Sequence, residues 1–242
     1  MVAVVARAGV FGLKRKFYVN LSLLMALIAI VGFWRSYFGP LLAGVVDRPA
    51  LIHFHAVIYV GWLLLFIAQT MFAATGHLAL HKKLGNFGIG YGVLVILVGL
   101  MATFGMFAIR VRAGAADAFL SVGPLLDMLV FAPFFAAAIY YRKKPELHKR
   151  LMIVAMTTLL IAAVSRMPML GTPRNLWLEY FIWISPLLIA MVYDFTRRRL
   201  VHPAYITGII VLALASRPVR RVINASDTWL EVNVWFASVF AA

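Results

Sequence analysis

Residues 52–74 read IHFHAVIYVGWLLLFIAQTMFAA, a run of 23 positions without a Lys, Arg, Asp or Glu. About 20 apolar residues in helical conformation cover the hydrocarbon core of a bilayer. The run therefore reads as a membrane-crossing helix, and its recurrence along the chain decides the fold. Further apolar segments lie at roughly 18–38, 86–109, 118–141, 150–170, 176–196 and 203–216. The last is short and opens at Pro203, a residue suited to a first helical turn. The expectation is an all-α bundle of seven, or six, transmembrane helices in a single domain, 1–242. Residues 1–17 are expected to lie on the membrane surface and 18–216 to form the bundle. Residues 217–242 are expected as an amphipathic interfacial tail, with Ser226 as a helix cap and Asp227 and Glu231 interrupting its apolar character.

Composition supports this. The chain is 64% hydrophobic, with a mean hydropathy of +0.95, and only 13% of its residues are charged. No polar stretch is long enough to fold as an aqueous domain. Cysteine is absent, which removes disulfides, thiolate metal sites, iron–sulfur clusters and cysteine nucleophiles together. The net charge of +15 comes from cations that flank apolar segments, so anionic lipid headgroups, not nucleic acid, are the expected partner. Of 23 Lys and Arg, 14 fall in the N-terminal segment and in the connections near 75–85, 142–150 and 197–202. That bias predicts a cytoplasmic N-terminus in a plasma membrane.

Leu80-His81-Lys82-Lys83-Leu84 recurs as Leu147-His148-Lys149-Arg150-Leu151, each copy at the start of an outward-running helix. The two copies mark a parallel duplication of a helix pair, 52–109 and 118–170. Gly85, Gly88 and Gly92 nearly share one helical face, where a neighbouring helix can approach closely. Pro124, Pro133 and Pro186 are expected to bend their helices.

Polar side chains inside a membrane are costly, so each calls for a reason. His55, Tyr59, Trp62, Phe66 and Gln69 recur at helical spacing on a face that must look into the bundle. Asp127 falls at matching depth, where a hydrogen bond to Tyr59 or Trp62 is expected. Arg166 and Glu179 lie near the outer ends of their segments and are expected to pair. Together His55, Tyr59, Trp62, Asp127, Arg166 and Glu179 outline an outer pocket for a quinone-like or other small apolar molecule, or else a set of structural packing and capping bonds. At the inner rim, His81, His148 and His202 precede or open three different helices. Neutral imidazoles from separate helices can converge on haem iron or another transition metal. His81 and His148 are the primary candidates and His202 a spare ligand. Rim histidines beside Lys and Arg also bind phosphate headgroups. Intramembrane lysine, GxSxG, P-loop, dinucleotide fingerprint and HExxH patterns are all missing.

His53-Phe54-His55-Ala56, the Leu80–Gly85 box, Pro145-Glu146-Leu147-His148-Lys149-Arg150-Leu151-Met152, Arg166 and His202-Pro203-Ala204 resemble a family of bacterial multi-pass membrane proteins without an assigned activity. The resemblance covers most of the chain and implies its architecture and a bacterial inner membrane. A weaker similarity links the duplicated helix pairs and rim histidines to helical b-type cytochromes, which implies haem b; here, however, the histidines lie at helix starts. The leading expectation is a haem- or metal-binding redox membrane protein. The alternatives are an accessory or lipid-binding subunit of a larger membrane complex, and a small-molecule or proton-coupled transporter using Asp127 and His55.

Overall fold

A computed structural model describes the backbone of residues 2–241 and the side chains of 16–241. In chain order the helices are α1 (Val2–Phe33), a π-helical turn (Trp34–Phe38) leading into α2 (Gly39–Leu42), α3 (Ala50–Thr75), α4 (Leu78–Arg112) and α5 (Val122–Tyr140). They continue as α6 (Pro145–Leu159), α7 (Ile161–Val164), a 3-10 turn (Pro168–Leu170), α8 (Leu176–Arg198), α9 (Pro203–Leu214), α10 (Arg217–Asn224) and α11 (Asp227–Ala241). No strand occurs among the described residues. Among the described residues, six stretches are long and apolar enough to cross a membrane: Lys16–Leu42, Ala50–Thr75, Leu78–Arg112, Val122–Tyr140, Pro145–Val164 and Leu176–Arg198. The surface segment expected at 1–17 falls, but for its last two positions, outside the described side chains. Phe17 is described, and its ring stacks on Tyr193 of α8 at 3.7 Å.

Successive helices alternate in direction, so their ends gather in two layers. The basic end joins the start of α1, the α3–α4 and α5–α6 connections and the α8–α9 connection. The far end joins the π-helical turn, the α4–α5 connection, the segment after α7 and α10. Local sequence sets the boundaries. Gly76 closes α3 with φ 84°, a left-handed conformation that glycine adopts without strain. Ser121 and Asn175 cap α5 and α8 by accepting from Gly123 N (3.3 Å) and Leu178 N (3.0 Å). Pro124 therefore sits in the first turn of α5, where its missing N–H removes no helical hydrogen bond, so no bend follows from it. The segment expected at 203–216 folds as a helix of 12 residues, about 18 Å long at ~1.5 Å per residue.

Lipid offers helices little hydrophobic reason to associate, so close packing and interhelical hydrogen bonds carry the bundle. The glycine face of α4 does what its spacing predicts. Gly88 meets Leu65, Gly85 lies against the Gln69 amide, and the Phe135 ring fills the space above Gly92. Two tyrosines bridge α3 and α4 in opposite senses. Tyr59 of α3 donates to Val95 O (3.1 Å), and Tyr91 of α4 donates to Ile58 O (3.1 Å). Each hydroxyl occupies the space over a glycine of the other helix, Gly99 and Gly61. Outward, Leu64, Leu97, Leu129 and Val192 are all more than half exposed, as a lipid-facing surface requires.

Candidate functional site

His81 and His148 are each the fourth residue of their helix, α4 and α6. Each imidazole reaches back to the last turns of the preceding helix. His81 Nδ1 lies 3.2 Å from Gln69 O, and His148 Nδ1 lies 2.7 Å from Ala138 O. A carbonyl can only accept, so Nδ1 carries the proton in both rings. In the neutral imidazole the lone pair then sits on Nε2, and neither Nε2 has a hydrogen-bond partner among the described residues. A backbone carbonyl fixing Nδ1–H is also what orients metal-ligating histidines elsewhere. Among the described residues no group of three or more His, Asp or Glu could hold a metal ion.

His202 has another task. Its Nδ1 accepts from Ala204 N at 3.2 Å and caps α9, with Pro203 in the first turn. The proton must then sit on Nε2, so a ring engaged in capping has no free lone pair. Burial, and secondarily the Arg150 charge, hold this imidazole below its ordinary value of 6.5. The folded chain therefore binds the proton more weakly than the unfolded one. The cap's contribution is complete above that ordinary value and is lost as pH falls through the lowered one. Thermal melting in detergent between about pH 7.5 and 5 should show this loss. His202→Asn, which caps without titrating, should flatten that part of the profile. An unchanged slope in His202→Asn would contradict the assignment.

Behind these histidines lies a cluster that the sequence reading did not find. Arg150 is fully buried and grips Asp194 with two hydrogen bonds, Nε to Oδ2 at 2.7 Å and Nη2 to Oδ1 at 2.8 Å. Its Nη1 donates to the Glu146 carboxylate at 2.9 Å and to the Glu146 carbonyl. Lys149 and Arg198 also pair with Glu146. The Tyr205 ring, likewise fully buried, lies 5.9 Å from the guanidinium carbon. The signal was present in composition: Glu146 and Asp194 are the two acidic residues among 14 cations at this end. A carboxylate inside an apolar run needs a cation partner.

Toward the far end, the six residues expected to form one pocket take five separate sets of partners. His55 stacks on Tyr59 with ring centroids 4.0 Å apart, and Tyr59 also touches Met128 Sδ at 3.6 Å. Trp62 sits in a box of Tyr91, Phe131 and Phe135. Asp127 is held by Arg220 at 2.5 Å rather than by Tyr59 or Trp62. Glu179 pairs with Arg174 (3.1 Å) and Arg217 (2.8 Å), not with Arg166. Arg166 donates to Ala162 O at 2.5 Å and lies over the Phe33 ring. Both buried carboxylates are thus reached by arginines of α10, one helical turn apart. The Nδ1 of His55, the Nε1 of Trp62 and the side-chain amide of Gln69 are buried without partners. They recur every seven residues along α3, about 10.5 Å apart. No protein-family model matches the chain, and no curated protein or solved structure is significantly similar to it.

Proposed function

We propose that this is a redox protein of the bacterial plasma membrane in which His81 and His148 hold haem b or a transition metal. One observation carries the reading: two histidines at the same position of two helices are fixed through Nδ1 and present Nε2 lone pairs. Haem bound there would supply one-electron chemistry. The protein's part is to fix the ligands' tautomer and orientation. Exposed Lys82 and Lys83 beside His81, and Lys143 and Lys144 before His148, offer charge for propionates or lipid headgroups. The orphaned Nε1 of Trp62 supports a quinone-like or other small apolar partner in the bundle. Protein purified in mild detergent should be coloured, with a haem or metal content near one per chain. His81→Ala and His148→Ala should each remove most of the absorption band while His77→Ala leaves it. A colourless, metal-free sample of folded wild-type protein would sink the reading.

The finer topology belongs to the same proposal. In it, helix pairs α3–α4 and α5–α6/α7 form a parallel duplication. Tyr59 and Met128, Trp62 and Phe131, Phe66 and Phe135, and the two acceptors Gln69 and Ala138 are all 69 positions apart. The first two of these pairs are also in contact. The short helix α9 leads from His202, beside the Arg150 cluster, to α10, whose Arg217 bonds Glu179 at the far end. It thus serves as a thin seventh crossing. α11 then lies across the far half of α4, with Phe236 and Phe240 on Phe104 and Phe107, as an interfacial tail. The excess of cations at the basic end supports a cytoplasmic side for that end and for the N-terminus.

A further inference from the structure

The helix α10 is attached to the bundle differently from its neighbours. None of its eight residues is buried, and none belongs to the apolar core. The elements on either side are firmly seated. Leu212 of α9 and Ala215 after it are buried, and α11 is held at the start of α5 through Asn233, whose Oδ1 accepts from Leu120 N at 2.6 Å. The ties of α10 to α5 and α8 run through polar side chains. Arg217 Nε donates to both oxygens of Glu179 (2.8 and 3.0 Å), and Arg220 Nη2 donates to Asp127 Oδ1 (2.5 Å). Asn224 Oδ1 accepts from Val122 N at 2.9 Å.

These ties cover groups that need a cover. Asp127 and Glu179 are buried carboxylates, and a buried charge requires a partner. The Arg220 side chain lies over Gly123 of α5, with Nη1 3.1 Å from the point where a Cβ would stand. Its guanidinium carbon is 5.8 Å from the ring of the buried Trp183. A segment with little buried apolar surface opens at a lower free energy than the elements around it. α10 also has a joint at each end: Ser216 before it is extended, with ψ 167°, and Ala225 closes it. Glu179 keeps Arg174 when Arg217 leaves, so lifting α10 does not strand that carboxylate.

We propose that α10 is a lid over Asp127 and Glu179, latched by Arg217, Arg220 and Asn224 and able to lift while α9 and α11 stay in place. Lowered, it neutralises the two carboxylates with the chain's own guanidinium groups. Lifted, it leaves them facing the far side, open to a cation from solution. The lid lies at the opposite end from His81 and His148 and does not depend on a cofactor there. The chain has no cysteine, so single engineered thiols report the motion. Gly123→Cys puts a thiol beneath Arg220, Arg221→Cys puts one on the exposed side of α10, and Val154→Cys puts one in the core. Each full-length variant in mild detergent is labelled with a water-soluble maleimide. Gly123→Cys should react at least about ten-fold faster than Val154→Cys and about ten-fold slower than Arg221→Cys, as a site that opens locally does. Adding Arg217→Gln should speed Gly123→Cys labelling by about ten-fold or more, in line with loss of charge-assisted hydrogen bonds. It should leave Val154→Cys labelling unchanged. If Gly123→Cys fails to fold, hydrogen exchange of the Val122 amide, whose N–H is bonded to Asn224, must still accelerate in Arg217→Gln. Gly123→Cys labelling as slow as that of Val154→Cys would overturn the proposal, because the covered site would then open only with the whole bundle. So would labelling as fast as that of Arg221→Cys, or no response to Arg217→Gln.

Discussion

Asp194→Asn is expected to destabilise the bundle by about 3–5 kcal/mol, the usual consequence of removing one partner from a buried ion pair. Arg150 is fully buried, and both oxygens of Asp194 are bonded to its guanidinium. With the carboxylate gone, the cation keeps only Glu146, which is half exposed and shared with Lys149 and Arg198. For a chain of this length the loss corresponds to a melting temperature lower by roughly 6–20 °C, measured in detergent. The double replacement Arg150→Met with Asp194→Leu should recover most of it, because apolar side chains of similar volume need no compensation. A single Asp194→Asn variant that melts like wild type would show that the pair does not hold α6 to α8.

Gly32→Ala should be nearly as damaging, by about 3 kcal/mol, at the upper end of what overpacking costs. A Cβ there would overlap the Ala163 carbonyl oxygen and stand 2.5 Å from its carbon and 2.8 Å from its Cα. All three are backbone atoms, so no rotamer change relieves the collision and α1 must move off α7. Gly90 is the control. It lies in the same kind of helix, but a Cβ there meets nothing within 4 Å. Gly90→Ala should be neutral or stabilising by up to about 1 kcal/mol, from helix propensity. Equal melting temperatures for the two variants would refute the close approach of α1 and α7.

What the sequence discloses here follows the range of each interaction. Membrane-long apolar runs, the first-turn Pro203, the cap at Ser226, the inward stripe of α3 and the packing face of Gly85, Gly88 and Gly92 are local patterns in the sequence. Six of the seven apolar runs reappear, among the described residues, as helices long enough to cross a membrane, and the other patterns reappear with them. Partnerships between distant residues have no such pattern. Arg150 sits in a cluster that reads as a solvated rim, yet its partner Asp194 lies 44 positions away and draws it fully inside. Depth in the sequence matches Asp127 to Tyr59 and Glu179 to Arg166. The partner of Asp127, and Arg217 of the two that hold Glu179, come from α10, an eight-residue helix whose arginines read as loop charges. His202 resembles the other rim histidines in sequence. The Pro203 that follows it fixes a helix start, and capping then takes the ring's lone pair.

The crossed tyrosine bonds of α3 and α4 constrain how the molecule can move. Tyr59 and Tyr91 are anchored to carbonyls on opposite helices, each seated over a glycine of the other. Sliding α3 along α4 by one turn would break both bonds at once and drive each hydroxyl toward a side chain in place of hydrogen. Shear between these two helices is therefore locked out, and the pair travels as one rigid block. Relative motion within the bundle is therefore left to helices outside this pair.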